Sequence, residues 1–306
     1  DYAMTVHRRL GDRVRRYATF NECNVFTLLG YAMGIHAPGL TDRDAAFKAV
    51  HHVNLAHGKA IKALRDDDKD LILGIVNNLH PALPASDSEA DRKATERADA
   101  LWNRAFPDPQ FLGRYPAVLE AELAPYVKAD DLSVIHQPLD YFGVNHYSRN
   151  FVRHDPQALL GYSHPPLPEG VPVTGMGWEI APRAFYDQLM DIHRRYGPIP
   201  IYVTENGAGY EETVSRDGKV HDDNRVAFLE KYLSAMHDAI ADGADVRGYF
   251  IWSLLDNFEW AYGYAKRFGL VYIDYQTLQR IPKKSFDYYR RVAAANAVVA
   301  AGEVKP

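Results

Sequence analysis

Two glutamates draw attention by where they stand. Ile201-Tyr202-Val203-Thr204 is a run of mostly β-branched and aromatic residues that reads as a buried strand, and it ends in Glu205 followed by the turn pair Asn206-Gly207. Arg16-Tyr17-Ala18-Thr19-Phe20 reads as another strand and closes with Asn21-Glu22. In a chain of alternating strands and helices, the C-terminal strand tips are where chemistry is done, and a carboxylate there serves as nucleophile, base or metal ligand. The competing reading is an ordinary solvated carboxylate where a strand meets its loop. The rest of the chain decides between them.

The elements that must position these tips are spaced as βα repeats. Helical spacing over 2–15 leads into the strand at 16–20. A loop rich in Gly and Pro at 30–39 follows, then a helix over about 42–65 with Thr41 as its expected N-cap and Phe47, Val50, Val53, His57, Ile61 and Leu64 along one stripe. A strand at 71–76 ends in Asn77-Asn78, and a helix spans about 88–106. The strand at 139–145 runs into His146 and Tyr147. Beyond a Pro- and Gly-rich excursion at 155–177 come a helix at 184–196, the Glu205 strand, a helix at 222–242, a strand at 246–252, a short β piece at 269–274 and a closing helix at 284–297. Five strand-then-helix units with polar or aromatic residues at every strand's C-terminal end predict an α/β fold, a (β/α)8 TIM barrel of which the chain supplies about the last five units. Residues 1–306 read as one N-terminally incomplete barrel domain.

Composition narrows the function classes. The chain has 306 residues, 47% of them hydrophobic, enough for a large core. The formal net charge is −5 with no long run of one sign, which offers no surface to nucleic acid or an anionic membrane. No apolar run approaches the roughly 20 residues of a membrane span, and the first residues lack a signal-peptide hydrophobic region. The single Cys23 excludes an intramolecular disulfide and fits a reducing cytosol, hence a cytoplasmic protein. No His pair has ligand spacing with a third partner, since His51 and His52 point to different helix faces, so neither metal nor cofactor is expected.

Glu22 and Glu205 lie on strands three positions apart, so in a barrel they face each other across its mouth. Facing carboxyls suit glycoside hydrolysis: one protonates the leaving oxygen while the other attacks the anomeric carbon or activates water. Such a pair needs unequal acidities, the attacking group ionised among donors and the acid held protonated by burial or by its partner's charge. Thr19-Phe20-Asn21-Glu22 and Ile201 through Gly207 resemble the two catalytic signatures of the family 1 glycoside hydrolases, the retaining β-glucosidase and β-galactosidase group. Gly30-Tyr31, His36-Ala37-Pro38-Gly39, His57-Gly58-Lys59-Ala60, Gly177-Trp178-Glu179-Ile180 and the run Phe250 through Trp260 match that family in order, over essentially the whole chain.

The resemblance implies a role for each matched residue. Glu205 matches the nucleophile that forms a covalent glycosyl-enzyme, Glu22 the acid/base, and Tyr147 a tyrosine that contacts and tunes the nucleophile. Asn21 matches the residue bonding the sugar 2-hydroxyl, and Glu259 the acceptor for the 4- and 6-hydroxyls. Trp252 and Trp260 match indoles shaping the glycone pocket, Phe268 the aromatic at its rim, and Trp178 an aglycone platform. Asn78 corresponds to a polar position beside the outer subsite. Taken alone, Trp252 and Phe258 have a competing reading as barrel core, Tyr147 as a buried phenol, and Asn206-Gly207 as no more than a turn. The implied activity is exo-acting hydrolysis of β-glucosides or cello-oligosaccharides, with β-galactosides or β-fucosides as further candidates. Phosphorylated-sugar enzymes of the family lack a Glu-Trp pair, so Glu259-Trp260 implies an unphosphorylated sugar.

Two departures from the family pattern matter. Cys23 stands where proline usually follows the acid/base, which puts a thiol beside that carboxylate and predicts inhibition by thiol reagents. The family's first three strands, with a glycone-binding glutamine, a histidine-tryptophan pair and an arginine beside the nucleophile, have no counterpart in these residues. A complementary N-terminal chain or segment is therefore an expected partner, and the alternative is a carbohydrate-binding or scaffold protein without turnover. A metal-dependent barrel hydrolase is disfavoured by strand tips carrying Glu, Asn and Trp instead of clustered His and Asp.

Overall fold

The computed structural model describes residues 1–302. In chain order the elements are α1 (Tyr2–Leu10), β1 (Arg16–Asn21), α2 (Arg43–Asp67), β2 (Ile72–Asn78), β3 (Ala82–Pro84), α3 (Glu89–Asp99), α4 (Glu120–Leu123), α5 (Asp131–Ile135), β4 (Tyr141–Asn145), β5 (Asn150–His154) and β6 (Tyr162–Ser163). They continue with α6 (Pro182–Tyr196), β7 (Ile201–Asn206), α7 (Asp223–Ala241), β8 (Val246–Ile251), β9 (Val271–Ile273), β10 (Arg280–Pro282) and α8 (Lys284–Ala295). The five expected strands form the hydrogen-bonded order β1-β2-β4-β7-β8. No helix among the described residues is long and apolar enough to cross a membrane.

The chain divides into two compact units, the first comprising Asp1–Asn145, Arg149–Pro166 and Ile192–Tyr202, the second His146–Ser148, Leu167–Asp191 and the residues from Val203 onward. In the first, β1 pairs in parallel with β2, and β2 with β4 in the register Gly74↔Tyr141 to Asn78↔Asn145. β4 is buried throughout and β2 nearly so, as their almost unbroken apolar sequences require of strands covered on both faces. Gly74 is glycine because a Cβ there would sit 2.5 Å from the Tyr141 ring. Helix α2 buries Phe47, Val50, His57, Ile61 and Leu64 of the stripe read from the sequence, while Val53 is half-buried. Its N-cap is Asp42 and not Thr41: the Asp42 carboxylate accepts the Ala45 N–H at 3.0 Å. A carboxylate adds favourable charge at the positive helix end, which a hydroxyl does not. Helix α3 is capped by Ser88 on the Asp91 N–H, and passes into a wide π-helical turn at Ala100–Arg104. Truncating a fully buried residue here, Leu73 for example, costs about 2–5 kcal/mol.

The second unit has an aromatic centre. Phe228 stacks on Tyr232 at 4.1 Å, Phe185 lies 5.7 Å from Tyr232, and His146 5.0 Å from Phe185. Beside it runs a network of buried charges. Arg225 donates to Glu212 and Asp222, each at 2.5 Å. Lys283 donates to Glu212 and to Asp256, and Arg267 to Asp256 at 2.7 Å. Three cations thus meet three carboxylates, so none is left as an uncompensated buried charge. Burial, followed by the nearby Arg225 charge, lowers the Lys283 pKa below the usual lysine value. The network fastens the loop after β7 to the start of α7, the loop after β8 and the start of α8.

Candidate active site

Glu22 owes its direction to an irregularity in β1. Pairing runs Ala18↔Gly74 but Asn21↔Val76, so β1 carries one extra residue before its tip, the kind of bulge that re-aims a side chain. Directly after it Glu22 takes φ +53°, in the left-handed region that non-glycine residues seldom enter. Its N–H donates to Val76 O at 2.9 Å and its carbonyl accepts the Val25 N–H at 3.0 Å, which hold that conformation. The half-buried carboxylate receives two carboxamides on Oε1, from Asn78 Nδ2 at 2.8 Å and from Asn145 Nδ2 at 2.9 Å. Asn145 also donates to Asn21 Oδ1 at 3.0 Å. The paired strand ends Asn78↔Asn145 set both amides side by side. The structure therefore brings Asn21, Glu22 and Asn78 together. The reading missed Asn145, although its place as the last strand residue before His146 was the available signal.

Cys23 corrects an expectation. It is fully buried in the core cluster with Leu28, Phe47 and Leu101, where the Val25–Ala32 π-helical turn carries the chain inward. Burial pushes its thiol pKa far above the usual range, so adjacency in sequence to Glu22 does not make it a reactive thiolate.

In the second unit, Tyr147 OH donates to Glu205 Oε2 at 2.5 Å, and His146 N–H to Glu205 O at 2.9 Å. The Tyr147 ring lies 5.3 Å from Trp178 and 6.3 Å from Phe268, and Trp178 lies 6.2 Å from Phe268. Phe268 was expected at a rim, but it is 2% exposed and packs against Gly209. Trp252, half-buried, donates its N–H to Asn206 O at 3.0 Å. Gly207 makes that approach possible: a Cβ there would stand 1.9 Å from Trp252 O. Glu259 and Trp260 sit on the loop that follows β8, closed by Glu259 N–H to Gly263 O at 2.7 Å, with the Trp260 side chain exposed. Among the described residues, no cluster of His, Cys, Asp and Glu is arranged to hold a metal ion.

A model of "Glycosyl hydrolase family 1" matches residues 1–298. The chain belongs to that family. It is a glycoside hydrolase, and its five parallel strands are five of the eight of the family's (β/α)8 barrel. It is 41% identical over 302 residues to "Beta-glucosidase A" of Thermotoga maritima, covering 97% of this chain and 67% of that protein. It is 44% identical over 300 residues to a β-glucosidase of Agrobacterium sp., covering 96% and 65%. Among solved structures, the family 1 β-glucosidase of T. maritima in complex with isofagomine lactam aligns with a TM-score of 0.91 at 39% identity, over 97% of this chain and 67% of that one. The psychrophilic β-glucosidase of Micrococcus antarcticus aligns with a TM-score of 0.91 at 43% identity, over 97% and 68%. The chain thus spans about two-thirds of the length of these family 1 relatives.

Proposed function

We propose that this family 1 chain carries the catalytic carboxyls of a retaining, exo-acting β-glucosidase, within one catalytic domain. The observation that supports this most is Glu205 at the tip of β7 with the Tyr147 phenol on Oε2 at 2.5 Å. A donor at that distance favours the ionised carboxylate, the form that attacks an anomeric carbon. Glu22 is the matching acid/base: it protonates the departing oxygen while Glu205 bonds to the sugar, then takes a proton from the water that releases it. Asn21 is proposed to hold the 2-hydroxyl, Glu259 the 4- and 6-hydroxyls, Trp252 and Trp260 the glycone walls, Trp178 the aglycone, and Asn78 the acid/base in addition to an outer subsite. The substrate class is a β-glucoside or cello-oligosaccharide, supported by relatives named β-glucosidase and 1,4-β-D-glucan glucohydrolase. A β-fucoside is a second candidate, since a Bifidobacterium breve relative at 42% identity is named a bifunctional β-D-glucosidase/β-D-fucosidase.

The alternative is sugar binding without turnover unless a complementary N-terminal segment is supplied. Hydrolysis of an aryl β-glucoside should be measured for the chain, for Glu205→Gln, and for the chain mixed with the N-terminal third of a family 1 relative. Turnover abolished by Glu205→Gln is expected. Turnover only in the mixture supports the need for the segment, binding without turnover in either supports the alternative, and equal rates for Glu205→Gln remove Glu205 from the mechanism.

A further inference from the structure

We infer that Asn206 is a positioning residue that holds the Tyr147 phenol on Glu205, a role that rests on the function proposed above. The sequence offers Asn206-Gly207 as a turn. A turn asparagine would be exposed and would often take positive φ, but Asn206 is fully buried and is not among the positive-φ residues. Both ends of its carboxamide are engaged. Nδ2 donates to His146 O at 2.7 Å, and Oδ1 accepts from Tyr249 OH at 2.8 Å. Its main-chain carbonyl accepts the Trp252 N–H.

The geometry makes a clamp. His146 N–H bonds Glu205 O, while His146 O is bonded by the Asn206 side chain, so residues 146 and 205–206 are joined by one main-chain and one side-chain bond. Tyr147 is the next residue, and its own carbonyl is within 3.5 Å of Tyr232 OH. The direction of the Tyr147 ring toward Glu205 therefore depends on where His146 O is held. Only a carboxamide fits the clamp, because position 206 must donate at one end and accept at the other. An ionised aspartate would point an acceptor at the His146 carbonyl, and an apolar residue would leave a buried carbonyl and a buried phenol unpaired. Tyr249 is fixed in its turn by Tyr289, whose hydroxyl donates to Tyr249 O at 3.0 Å. Burial raises the Tyr249 pKa well above the ordinary value, which keeps that phenol a donor and the amide orientation single.

The test uses Asn206→Ala, the gentler Tyr249→Phe, Tyr147→Phe, and the Asn206→Ala/Tyr147→Phe double variant. Protein labelled with ¹³C at the tyrosine ring gives a Tyr147 resonance, assigned by its loss in Tyr147→Phe, that reads the phenol's position whether or not the sample turns over. That resonance should move in Asn206→Ala and, to a smaller extent, in Tyr249→Phe. In a preparation that turns over, kcat should fall about 10-fold in Asn206→Ala with KM nearly unchanged, and the acid limb of the pH profile should move as it does in Tyr147→Phe. The double variant should lose no more than Tyr147→Phe alone, as expected for residues acting through one contact. An unmoved Tyr147 resonance in both Asn206→Ala and Tyr249→Phe, or a fully multiplicative loss in the double variant, overturns the positioning role. A moved resonance with Glu205→Gln as active as the parent leaves the clamp in place and removes the functional reading instead.

Discussion

Glu22 and Glu205 both close parallel strands, yet their carboxylates are held by different chemistry. Glu22 has two carboxamide donors on a single oxygen, whereas Glu205 has a phenol. Carboxamides do not titrate, and an oxygen that accepts two N–H bonds can do so whether the other oxygen carries a proton or not. Such a cradle suits a group that alternates between acid and base without rearrangement. A short phenol bond acts the other way, stabilising the ionised form above the neutral one. The backbones differ as well: Glu22 follows a bulge at φ +53°, while Glu205 continues a regular strand. The difference teaches that strand ends alike in position can offer a carboxylate different donors, and the two proposed roles follow that difference.

Substitutions can break this contrast. The largest effect is expected for Glu205→Gln, on the order of 10³-fold or more in kcat for aryl β-glucoside hydrolysis, because a carboxamide cannot take the proposed nucleophile's part. Glu22→Gln should cost about 10²–10⁴-fold with an alkyl leaving group. With a nitrophenyl leaving group, which departs without a proton, the first step should be largely spared; equal losses for the two substrates would sink the acid role. Tyr147→Phe removes a charge-assisted bond of about 1.5–3 kcal/mol and should cost about 10–100-fold, with the acid limb of kcat/KM moved to higher pH. Asn78→Ala takes one of the two carboxamide donors from Glu22 Oε1 and should cost about 10-fold or less in rate, with the acid limb left in place. Movement of the same limb in both variants would erase the distinction between cradle and phenol.

A smaller effect concerns the support of Glu22 alone. Thr19, three residues before it, contacts His57 of α2 at 2.7 Å between Oγ1 and Nδ1. Burial lowers the His57 pKa from 6.5 to about 3, so the folded chain holds it neutral while the unfolded chain protonates it. Its stabilising contribution is therefore complete above 6.5 and is lost as pH falls from 6.5 toward 3, at up to about 1.4 kcal/mol per pH unit. Denaturant midpoints measured across that range should fall less steeply for His57→Asn. Smallest of all, alkylating reagents should leave Cys23 unmodified and activity unchanged in the folded protein, by mass spectrometry and assay, since its thiol is buried and its pKa raised.

Sequence reasoning reached the strand tips because β7 is a largely apolar run that stops at a carboxylate, and β1 is a short run that closes with Asn21-Glu22 in the same way. What it did not reach depends on register. Asn145 meets Glu22 only because β2 and β4 pair Asn78 with Asn145, and pairing between distant strands leaves no mark on either sequence. Cys23 looked reactive from its neighbour, but the turn that carries it inward is set by how Val25–Ala32 packs. Asn206 looked like a turn because Asn-Gly is a strong local signal, and the partners that override it, His146 and Tyr249, come from other segments. The cap at Asp42 in place of Thr41 is a one-residue error between two good capping types.

The buried ions around Arg225, Lys283 and Asp256 have a consequence for heat. Most of the free energy opposing such a cluster is the hydration its members gave up, and hydration of charged groups becomes less favourable as temperature rises. Apolar packing such as that around α2 gains no comparable increment, because hydrophobic stabilisation per unit area levels off. On warming, the loops that carry Glu259 and follow Glu205 are held by the one kind of contact whose opposition weakens, so they should be among the last parts of the second unit to loosen before it unfolds.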